Sequence, residues 1–292
     1  MSILKPTVFT GAATALITPF RDGAIDYPAM EALIEEQIEK GISALLVSGT
    51  TGESATLSYA EHRELIAFAK SCIGGRVPLL AGCGSNSTAN ALQLVQNACE
   101  AGADALLAVT PYYNKTSARG IILHYRAIAD AATRPLILYN VPSRTGFSIP
   151  PDAYRALADH PNIVGVKEAS GDLGLLEMLV SECGDRLDVW TGNDNQTVSS
   201  MKLGARGVIS VYSNLEPHAM TEITRLCAGG DWSLAGQRLR AHLPKMNALF
   251  WEVNPIPVKY VASLRGICLA EYRLPLCSPS PDICKRLKGL FS

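Results

Sequence analysis

The sequence has few charged residues and no excess of either sign. Charged residues make up 18% of the 292 residues, and the formal net charge is −1. A basic stripe that would bind nucleic acid is therefore missing. Apolar stretches such as 101–109 are interrupted by Gly102 and Asp104, and they fall short of the roughly 18 residues that a membrane helix needs. These absences argue against nucleic-acid and membrane partners, and they favour a soluble globular enzyme.

Metal-ligand spacing is also missing. The five histidines show no His-x-x-x-His or His-Glu-x-x-His pattern, and the eight cysteines include no Cys-x-x-Cys pair. We therefore expect no metal, which disfavours metal-dependent aldol chemistry. Most cysteines lie in apolar surroundings, which predicts reduced, buried thiols. The N-terminal segment lacks a strong hydrophobic centre, so we predict no signal peptide and a cytoplasmic location.

Short apolar runs rich in Val, Ile and Leu recur at intervals of roughly 20–35 residues, as in α/β barrels. Their continuous apolar character indicates strands that are buried on both faces, as parallel sheets require. The runs occupy residues 13–17, 42–47, 77–81, 105–109, 136–139, 163–166, 187–190 and 207–211. With helical periodicity between them, these eight candidate strands predict an α/β fold, a (β/α)8 TIM barrel with a C-terminal helical extension.

Two of the intervening helices have clear signals. Residues 30–38 place apolar side chains on one helical face, and Gly41 is the predicted end of that helix. Ser58 and Glu61 predict a capping box at the start of another helix. A doubly wound open sheet is the alternative fold, but segment 82–87 lacks the third glycine of a dinucleotide-binding Gly-x-Gly-x-x-Gly motif.

The strand pattern stops in the last part of the chain. Residues 232–251 and 258–271 are predicted helices, separated by an Asn-Pro-Ile-Pro segment. About 60 residues are too few for an independent catalytic domain but suit packing or assembly. We therefore predict a catalytic barrel over 1–229 and a C-terminal helical region over 230–292.

Lys167 ends the sixth apolar run and is followed directly by Glu168. An amine among strand residues loses hydration, so its pKa falls and it becomes a nucleophile for Schiff-base chemistry. The alternative is a strand-end lysine whose ammonium reaches solvent. Because barrel chemistry collects at the carboxyl ends of the strands, the other strand ends decide between these interpretations.

Those strand ends carry polar and aromatic residues. The tetrapeptide 49–52, Gly-Thr-Thr-Gly, is either a tight loop or a cradle whose N–H groups and hydroxyls hold a small carboxylate. Tyr139 is a candidate for proton transfer, because a nearby buried cation would make its phenol more acidic. The alternative is a tyrosine that packs in the core. Tyr112 and Tyr113 start a predicted exposed loop. Arg144 is either a surface charge or a guanidinium that binds a second carboxylate through two parallel hydrogen bonds. Two carboxylate sites would imply two acid substrates.

Several blocks occur in one order along the whole chain, at residues 49–57, 109–115, 138–146, 165–169, 207–211 and 254–259. In these blocks the sequence resembles the dihydrodipicolinate synthase family of the pyruvate-dependent class I aldolase superfamily. The resemblance implies that pyruvate forms an imine with Lys167, becomes an enamine and attacks the aldehyde of L-aspartate 4-semialdehyde. Transimination would then release Lys167 and close a six-membered ring. The implied product is 4-hydroxy-tetrahydrodipicolinate, in the first committed step of diaminopimelate and lysine biosynthesis.

The resemblance also implies roles for other residues. Tyr139 would be the proton donor and acceptor, with Thr50 and Tyr113 completing a relay in which Tyr113 reaches into the neighbouring subunit's site. That arrangement implies a homotetramer built from two tight dimers. No metal or organic cofactor is implied, because the reactive group is the imine on Lys167 itself.

Four residues would bind the substrates. Thr51 would hold the pyruvate carboxylate, Ile209 would offer its backbone near the keto acid, and Gly192 would leave room for substrate. Arg144 would bind the carboxylate of aspartate semialdehyde. A sister aldolase or lyase acting on sugar acids would generally lack this arginine. A barrel that only binds a ligand would need no nucleophile at Lys167.

A feedback site for lysine at the tight-dimer interface is also implied. It would comprise Ser54, Ala55, Tyr59, His62, Asn86, Asn90 and Tyr112. Here the sequence departs from lysine-sensitive relatives, which usually carry glutamate at position 90 and often histidine at position 59. Loss of one charge-assisted hydrogen bond costs roughly 10–150-fold in affinity. We therefore predict weak or absent inhibition by lysine, which a submillimolar half-inhibitory concentration would contradict. Asn193, where many relatives have aspartate, is a further departure without an assigned effect.

Overall fold

A computed structural model describes residues 5–292. Eight parallel strands close into a barrel in which each strand pairs with the next and the last pairs with the first. They are β1 (Gly11–Ala15), β4 (Ala44–Val47), β5 (Leu79–Gly82), β6 (Ala105–Val109), β7 (Leu136–Asn140), β8 (Ile163–Glu168), β9 (Asp188–Thr191) and β10 (Gly207–Ser210). A hairpin of β2 (Phe20–Arg21) and β3 (Ala24–Ile25) lies outside the barrel. The predicted TIM barrel is confirmed, and the open sheet is excluded.

Strand boundaries differ from the predicted ones by up to two residues. The first strand ends at Ala15, and Ile17 lies beyond it, where its N–H donates to the Asn214 side chain at 3.0 Å. The third predicted strand begins at Leu79 rather than at residue 77. Pro78 has no N–H to donate to a ladder, which explains the later start.

The helices surround the barrel. They are α1 (Tyr27–Glu39), α2 (Tyr59–Ile73), α3 (Thr88–Glu100), α4 (Ala118–Ala131), α5 (Pro142–Thr145), α6 (Pro151–Ala158), α7 (Leu173–Cys183), α8 (Thr197–Lys202) and α9 (Pro217–Ala228). The apolar face predicted over residues 30–38 is the buried face of α1, and the capping box of Ser58 and Glu61 is present at α2.

Three more helices follow the barrel: α10 (Trp232–Ala248), α11 (Ile256–Leu264) and α12 (Pro281–Phe291). The helix predicted over 258–271 is wrong at its end, because α11 stops before Gly266, whose φ of +73° favours glycine. The prediction missed α12, a short amphipathic helix that buries Ile283 and Leu287. The division of the chain at residue 229 stays a prediction.

The barrel interior is closed at its amino-terminal end by an aromatic pair. Phe9, just before β1, stacks on Trp190 with ring centroids 4.9 Å apart, and the indole N–H donates to the Phe9 carbonyl at 3.2 Å. A Cβ on Gly165 would lie 2.5 Å from the indole ring, so glycine is needed there. The carboxyl ends of the strands are the open end.

Candidate active site

A cavity of about 570 Å³ lies at the carboxyl ends of the barrel strands. Each strand contributes residues at or just after its end, as expected for a TIM-barrel enzyme. The candidate residues that line it are Thr50, Thr51, Tyr139, Arg144, Lys167 and Gly192, together with Asn193, and residues 250–254 of the segment after α10 complete the wall. The structure therefore brings together six of the eight residues that the sequence singled out for catalysis and substrate binding.

Lys167 lies inside this cavity and is only 5% exposed. Burial lowers the pKa of its amine to about 7, the Asp194 carboxylate opposes that shift, and the Arg144 guanidinium adds to it. Its Nζ lies 4.6 Å from the centroid of the Tyr139 ring. A substantial part of the amine is therefore unprotonated near neutral pH. The burial of the amine agrees with the predicted loss of hydration.

Strand register and one glycine position this lysine. In the barrel Lys167 pairs with Tyr139 of β7 and with Trp190 of β9. A Cβ on Gly192 would lie 2.9 Å from Lys167 Cε and 2.6 Å from Ala169 Cβ. Gly192 thus leaves room for the lysine side chain itself, in addition to its position in the cavity wall.

Tyr139 is 8% exposed, and its phenol departs from the expected behaviour. Burial raises its pKa, and the Glu168 carboxylate adds to that, while Arg144 and the Thr50 side chain oppose it. The expectation of a more acidic phenol is therefore wrong, because loss of phenolate hydration outweighs the nearby cation. Tyr139 is consequently a protonated phenol, ready to donate.

Glu168 holds the ends of β7 and β8 together. Its carboxylate accepts hydrogen bonds from Asn140 Nδ2 at 2.9 and 3.2 Å and from the Tyr154 hydroxyl at 3.2 Å. Burial raises its pKa, although these hydrogen bonds oppose the shift. Because Asn140 and Glu168 directly follow Tyr139 and Lys167, this contact fixes the two candidate catalytic side chains relative to each other.

The loop after β4 turns back on itself. The Gly49 carbonyl accepts from the N–H groups of Gly52 at 3.1 Å and Ser54 at 3.3 Å. The N–H groups of Thr50 and Thr51 have no hydrogen-bond partner within residues 5–292. Unpaired N–H groups beside a cavity form an anion-binding concavity, which suits the predicted carboxylate cradle.

Arg144 lies at the exposed rim of the cavity. The predicted loop around it is the short helix α5, which begins at Pro142 because proline is favoured in a first turn. Its Nη2 donates to the main-chain carbonyl of Asn254 at 2.9 Å, which holds the guanidinium beside the opening. The arginine is thus placed to meet a second carboxylate.

Two candidate residues lie away from the cavity. Tyr113 is 91% exposed and has a φ of +66°, so in a single chain it points to solvent. Ile209 is fully buried in the barrel interior and pairs with Ala13 of β1. Neither residue lines the cavity wall. The predicted role of Tyr113 requires a neighbouring subunit and stays a prediction.

The residues of the implied effector site are mostly at the surface. Only His62 is buried; burial lowers its pKa, and its Nε2 lies 2.8 Å from the Gly82 carbonyl. Ala55, Tyr59, Asn90 and Tyr112 are exposed, whereas Ser54 and Asn86 are half-buried. Ser54 also lines the cavity, so this surface adjoins the candidate active site.

Sequence reasoning missed Asp194, which is 3% exposed. Its Oδ2 accepts from the N–H groups of Val211 at 3.1 Å and Tyr212 at 3.0 Å. Burial raises the pKa of this carboxyl, while its hydrogen bonds and Lys167 oppose the shift. Its place two residues after Gly192, at a strand end, was the available signal.

Asp194 should set the pH range of the lysine. Replacing it in Asp194→Asn removes the charge that raises the Lys167 pKa, so that pKa falls below about 7. The neutral amine then persists to lower pH, and the acid limb of adduct formation with a keto acid shifts to lower pH. At pH 7, near the parent pKa of about 7, the rate rises by less than it does at lower pH.

The measurement is the pH dependence of borohydride-trapped adduct. The exposed Asp185, replaced in Asp185→Asn, is the matched control and leaves the profile unchanged. An acid limb that moves to higher pH in Asp194→Asn contradicts the assignment.

Known proteins are similar to this chain in architecture and in sequence. A model of the dihydrodipicolinate synthetase family matches residues 8–291. The chain belongs to this family. It is 47% identical over 285 residues to the 4-hydroxy-tetrahydrodipicolinate synthase of Geobacter sulfurreducens, covering 97% of this chain and 98% of that protein.

Two solved structures of the dihydrodipicolinate synthetase family agree with the fold. The chloride-inhibited dihydrodipicolinate synthase of Acinetobacter baumannii, complexed with pyruvate, has a TM-score of 0.94 and 40% identity, covering 97% of each chain. A monomeric dihydrodipicolinate synthase variant has a TM-score of 0.95 and 38% identity, covering 97% of this chain and 96% of its own.

Metal-ligand clusters and membrane-spanning helices are both absent from residues 5–292. No three His, Cys, Asp or Glu side chains in this range are grouped as metal ligands. None of the helices in the described part of the chain has the length and apolar character needed to cross a membrane. The cytoplasmic location stays a prediction.

Proposed function

We propose that this chain condenses pyruvate with L-aspartate 4-semialdehyde to 4-hydroxy-tetrahydrodipicolinate, the first committed step of diaminopimelate and lysine biosynthesis. The observation that carries the proposal is the buried Lys167 amine, with a pKa of about 7, in the cavity at the open end of the barrel. Membership of the dihydrodipicolinate synthetase family supports the choice of substrates.

The first half of the reaction uses the Lys167–Tyr139 pair. The neutral amine attacks the keto carbon of pyruvate, and the resulting carbinolamine loses its hydroxyl as water. The protonated phenol of Tyr139, beside the amine, is placed to supply the proton for that departure. The product of this step is a protonated imine, which loses a methyl proton and becomes a neutral enamine. The Tyr139 phenolate left by the first proton transfer is placed to accept that proton.

The second half forms a carbon–carbon bond and frees the enzyme. The enamine carbon attacks the aldehyde carbon of aspartate semialdehyde, and the aldehyde oxygen takes up a proton. The amino group of the aldehyde substrate then attacks the imine carbon, and the amine of Lys167 leaves. Ring closure and release of the Lys167 side chain are therefore one transimination. The proposed reaction uses no metal or organic cofactor.

Substrate binding follows from the polar groups of the cavity wall. The unpaired N–H groups of Thr50 and Thr51 suit the pyruvate carboxylate, and Arg144 at the rim suits the carboxylate of the aldehyde. Gly192 would leave space beside the imine, and Ile209 would act through its backbone.

We also propose that the working assembly is a homotetramer of two tight dimers. The support is Tyr113, which is 91% exposed beside the exposed Tyr112 and does not line the cavity of its own chain. If a neighbouring subunit buries this pair, Tyr113 would reach into that subunit's site and join its relay of Tyr139 and Thr50.

The experiment that tests the function supplies both substrates and follows pyruvate consumption. Arg144→Ala should lower kcat/KM for aspartate semialdehyde by about 10–150-fold, since a charge-assisted contact to its carboxylate is lost. Borohydride trapping of pyruvate on Lys167 should persist in this variant.

The control is Arg225→Ala, which removes an exposed arginine from α9 and should leave both readings unchanged. Undiminished turnover in Arg144→Ala contradicts the assigned aldehyde substrate. Trapped pyruvate without consumption of aspartate semialdehyde would favour a sister aldolase that uses another aldehyde.

A further inference from the structure

Asn254 contacts both elements to which we assign carboxylate binding. It lies between α10 and α11, is 5% exposed and lines the cavity. Its Nδ2 donates to Thr51 Oγ1 at 3.0 Å, and its main-chain carbonyl accepts from Arg144 Nη2 at 2.9 Å. One residue of the C-terminal segment therefore joins the loop after β4 to helix α5.

The direction of the first hydrogen bond decides what Thr51 can offer. A hydroxyl has one proton and two lone pairs, and the Asn254 amide N–H occupies a lone pair. Within residues 5–292 the Thr51 hydroxyl has no acceptor for its own proton. The proton is therefore free to be donated to a ligand in the cavity, and a carboxylate, which only accepts, is the matching group.

A second contact keeps the two partners in place. Lys259 of α11 and Glu53 are both fully buried, and Lys259 Nζ lies 2.6 Å from Glu53 Oε1. Glu53 is two residues after Thr51, and Lys259 is five residues after Asn254. The Asn254–Thr51 contact is thus held by an ion pair that is inaccessible to solvent.

The amide of Asn254 also has an unused acceptor. Its Oδ1 is buried and has no hydrogen-bond partner within residues 5–292. Buried polar atoms are normally paired, so an unpaired one in a cavity wall marks a place where a ligand group or water completes the bonding.

We propose that Asn254 is a positioning residue that turns the Thr51 hydroxyl proton towards the carboxylate of the bound keto acid. It acts through Thr51 and takes no part in bond making or breaking. The inference rests on the proposed function, because pyruvate is the keto acid in question.

The test reverses the polarity of the hydrogen bond. Asn254→Asp has nearly the same shape but presents only acceptors, so the Thr51 hydroxyl donates to it and turns a lone pair towards the ligand. We expect the KM for pyruvate to rise by about tenfold or more, which is the loss of one hydrogen bond to a charged group. The kcat at saturating pyruvate should change by less than about threefold, whereas general damage to the cavity would lower kcat as well.

Thr51→Val separates the hydroxyl from the added charge. A carboxylate at position 254 repels pyruvate whether or not Thr51 has a hydroxyl, so that part of the effect remains in the double variant. If Asn254 acts through Thr51, the rise in KM caused by Asn254→Asp is several-fold smaller in the Thr51→Val background. Equal rises in the two backgrounds overturn the inference.

A KM for pyruvate in Asn254→Asp that is within twofold of the parent value also overturns the inference. That result is expected if the Asn254 amide faces the other way, so that the Thr51 hydroxyl already donates to Oδ1. Should Asn254→Asp fail to fold, Asn254→Ala provides a smaller version of the same test. Its KM for pyruvate should rise about threefold, and less than that in the Thr51→Val background.

A measurement on the parent chain distinguishes failure of the proposed function from failure of the role assigned to Asn254. Borohydride trapping of pyruvate on the parent tests the proposed function by itself. No adduct on the parent overturns both proposals, whereas an adduct with unaltered KM in Asn254→Asp overturns only the role of Asn254.

Discussion

Lys167→Ala should lower kcat by about 10⁴-fold or more, because the covalent route to the enamine is lost. No other lysine lines the cavity within residues 5–292. Incubation with pyruvate and borohydride should add one reduced pyruvyl group to the parent chain and none to the variant, as measured by intact-protein mass spectrometry. Pyruvate consumption with aspartate semialdehyde should stop in parallel.

Two further variants sharpen this result. Lys167→Arg keeps a cation in the cavity, but a guanidinium stays protonated and cannot form the imine, so it should be as inactive as the alanine variant. Lys202→Ala removes an exposed lysine from α8 and should be fully active. Turnover above about 1% of the parent in Lys167→Ala, against the expected 10⁴-fold loss, would mean that another group carries the reaction.

Lys259→Met should destabilise the chain by about 3–5 kcal/mol, because it leaves the Glu53 carboxylate buried without its partner. Both side chains are fully buried, and the ammonium also lies 4.1 Å from the centroid of the Phe20 ring. Burial lowers the pKa of Lys259 while Glu53 opposes the shift, as expected for an ion pair held in a dry interior. Denaturant unfolding, followed by circular dichroism, measures the loss.

The double variant distinguishes a pair from two independent side chains. Removing both charges in Glu53→Gln with Lys259→Met should cost less than the sum of the two single changes. The surface pair of Arg155 and Glu182 is the matched comparison, and Glu182→Gln should not change the unfolding midpoint measurably. Additive effects at Glu53 and Lys259 would show that the ion pair is not the source of the stability.

The sequence predicted the barrel because eight apolar runs at regular spacing have few other solutions. It predicted a low pKa at Lys167 for a similar reason: a lysine at the end of a buried strand loses hydration whatever its neighbours are. Tyr139 shows the limit of that reasoning. Its pKa depends on the balance between its own burial and the charges of Arg144 and Glu168, and a linear pattern does not give that balance.

Contacts between distant parts of the chain were missed for a physical reason. Asn254 and Thr51 are 203 residues apart, so no local periodicity or spacing links them. Asp194 acts on the Lys167 amine through its charge, and the loop after β9 determines where that charge lies. The role of Tyr113 depends on a surface outside its own chain, because its side chain is 91% exposed in one subunit.

The aromatic pair of Phe9 and Trp190 has a consequence for the order of events. The pair fills the barrel interior at the far end, so the cavity is approached from the carboxyl ends of the strands, where Arg144 lies at the rim. Lys167 is 5% exposed, whereas Arg144 is exposed, so a molecule held at the rim would lie between solvent and the amine. We therefore expect pyruvate to bind before the aldehyde, with the second substrate covering the first.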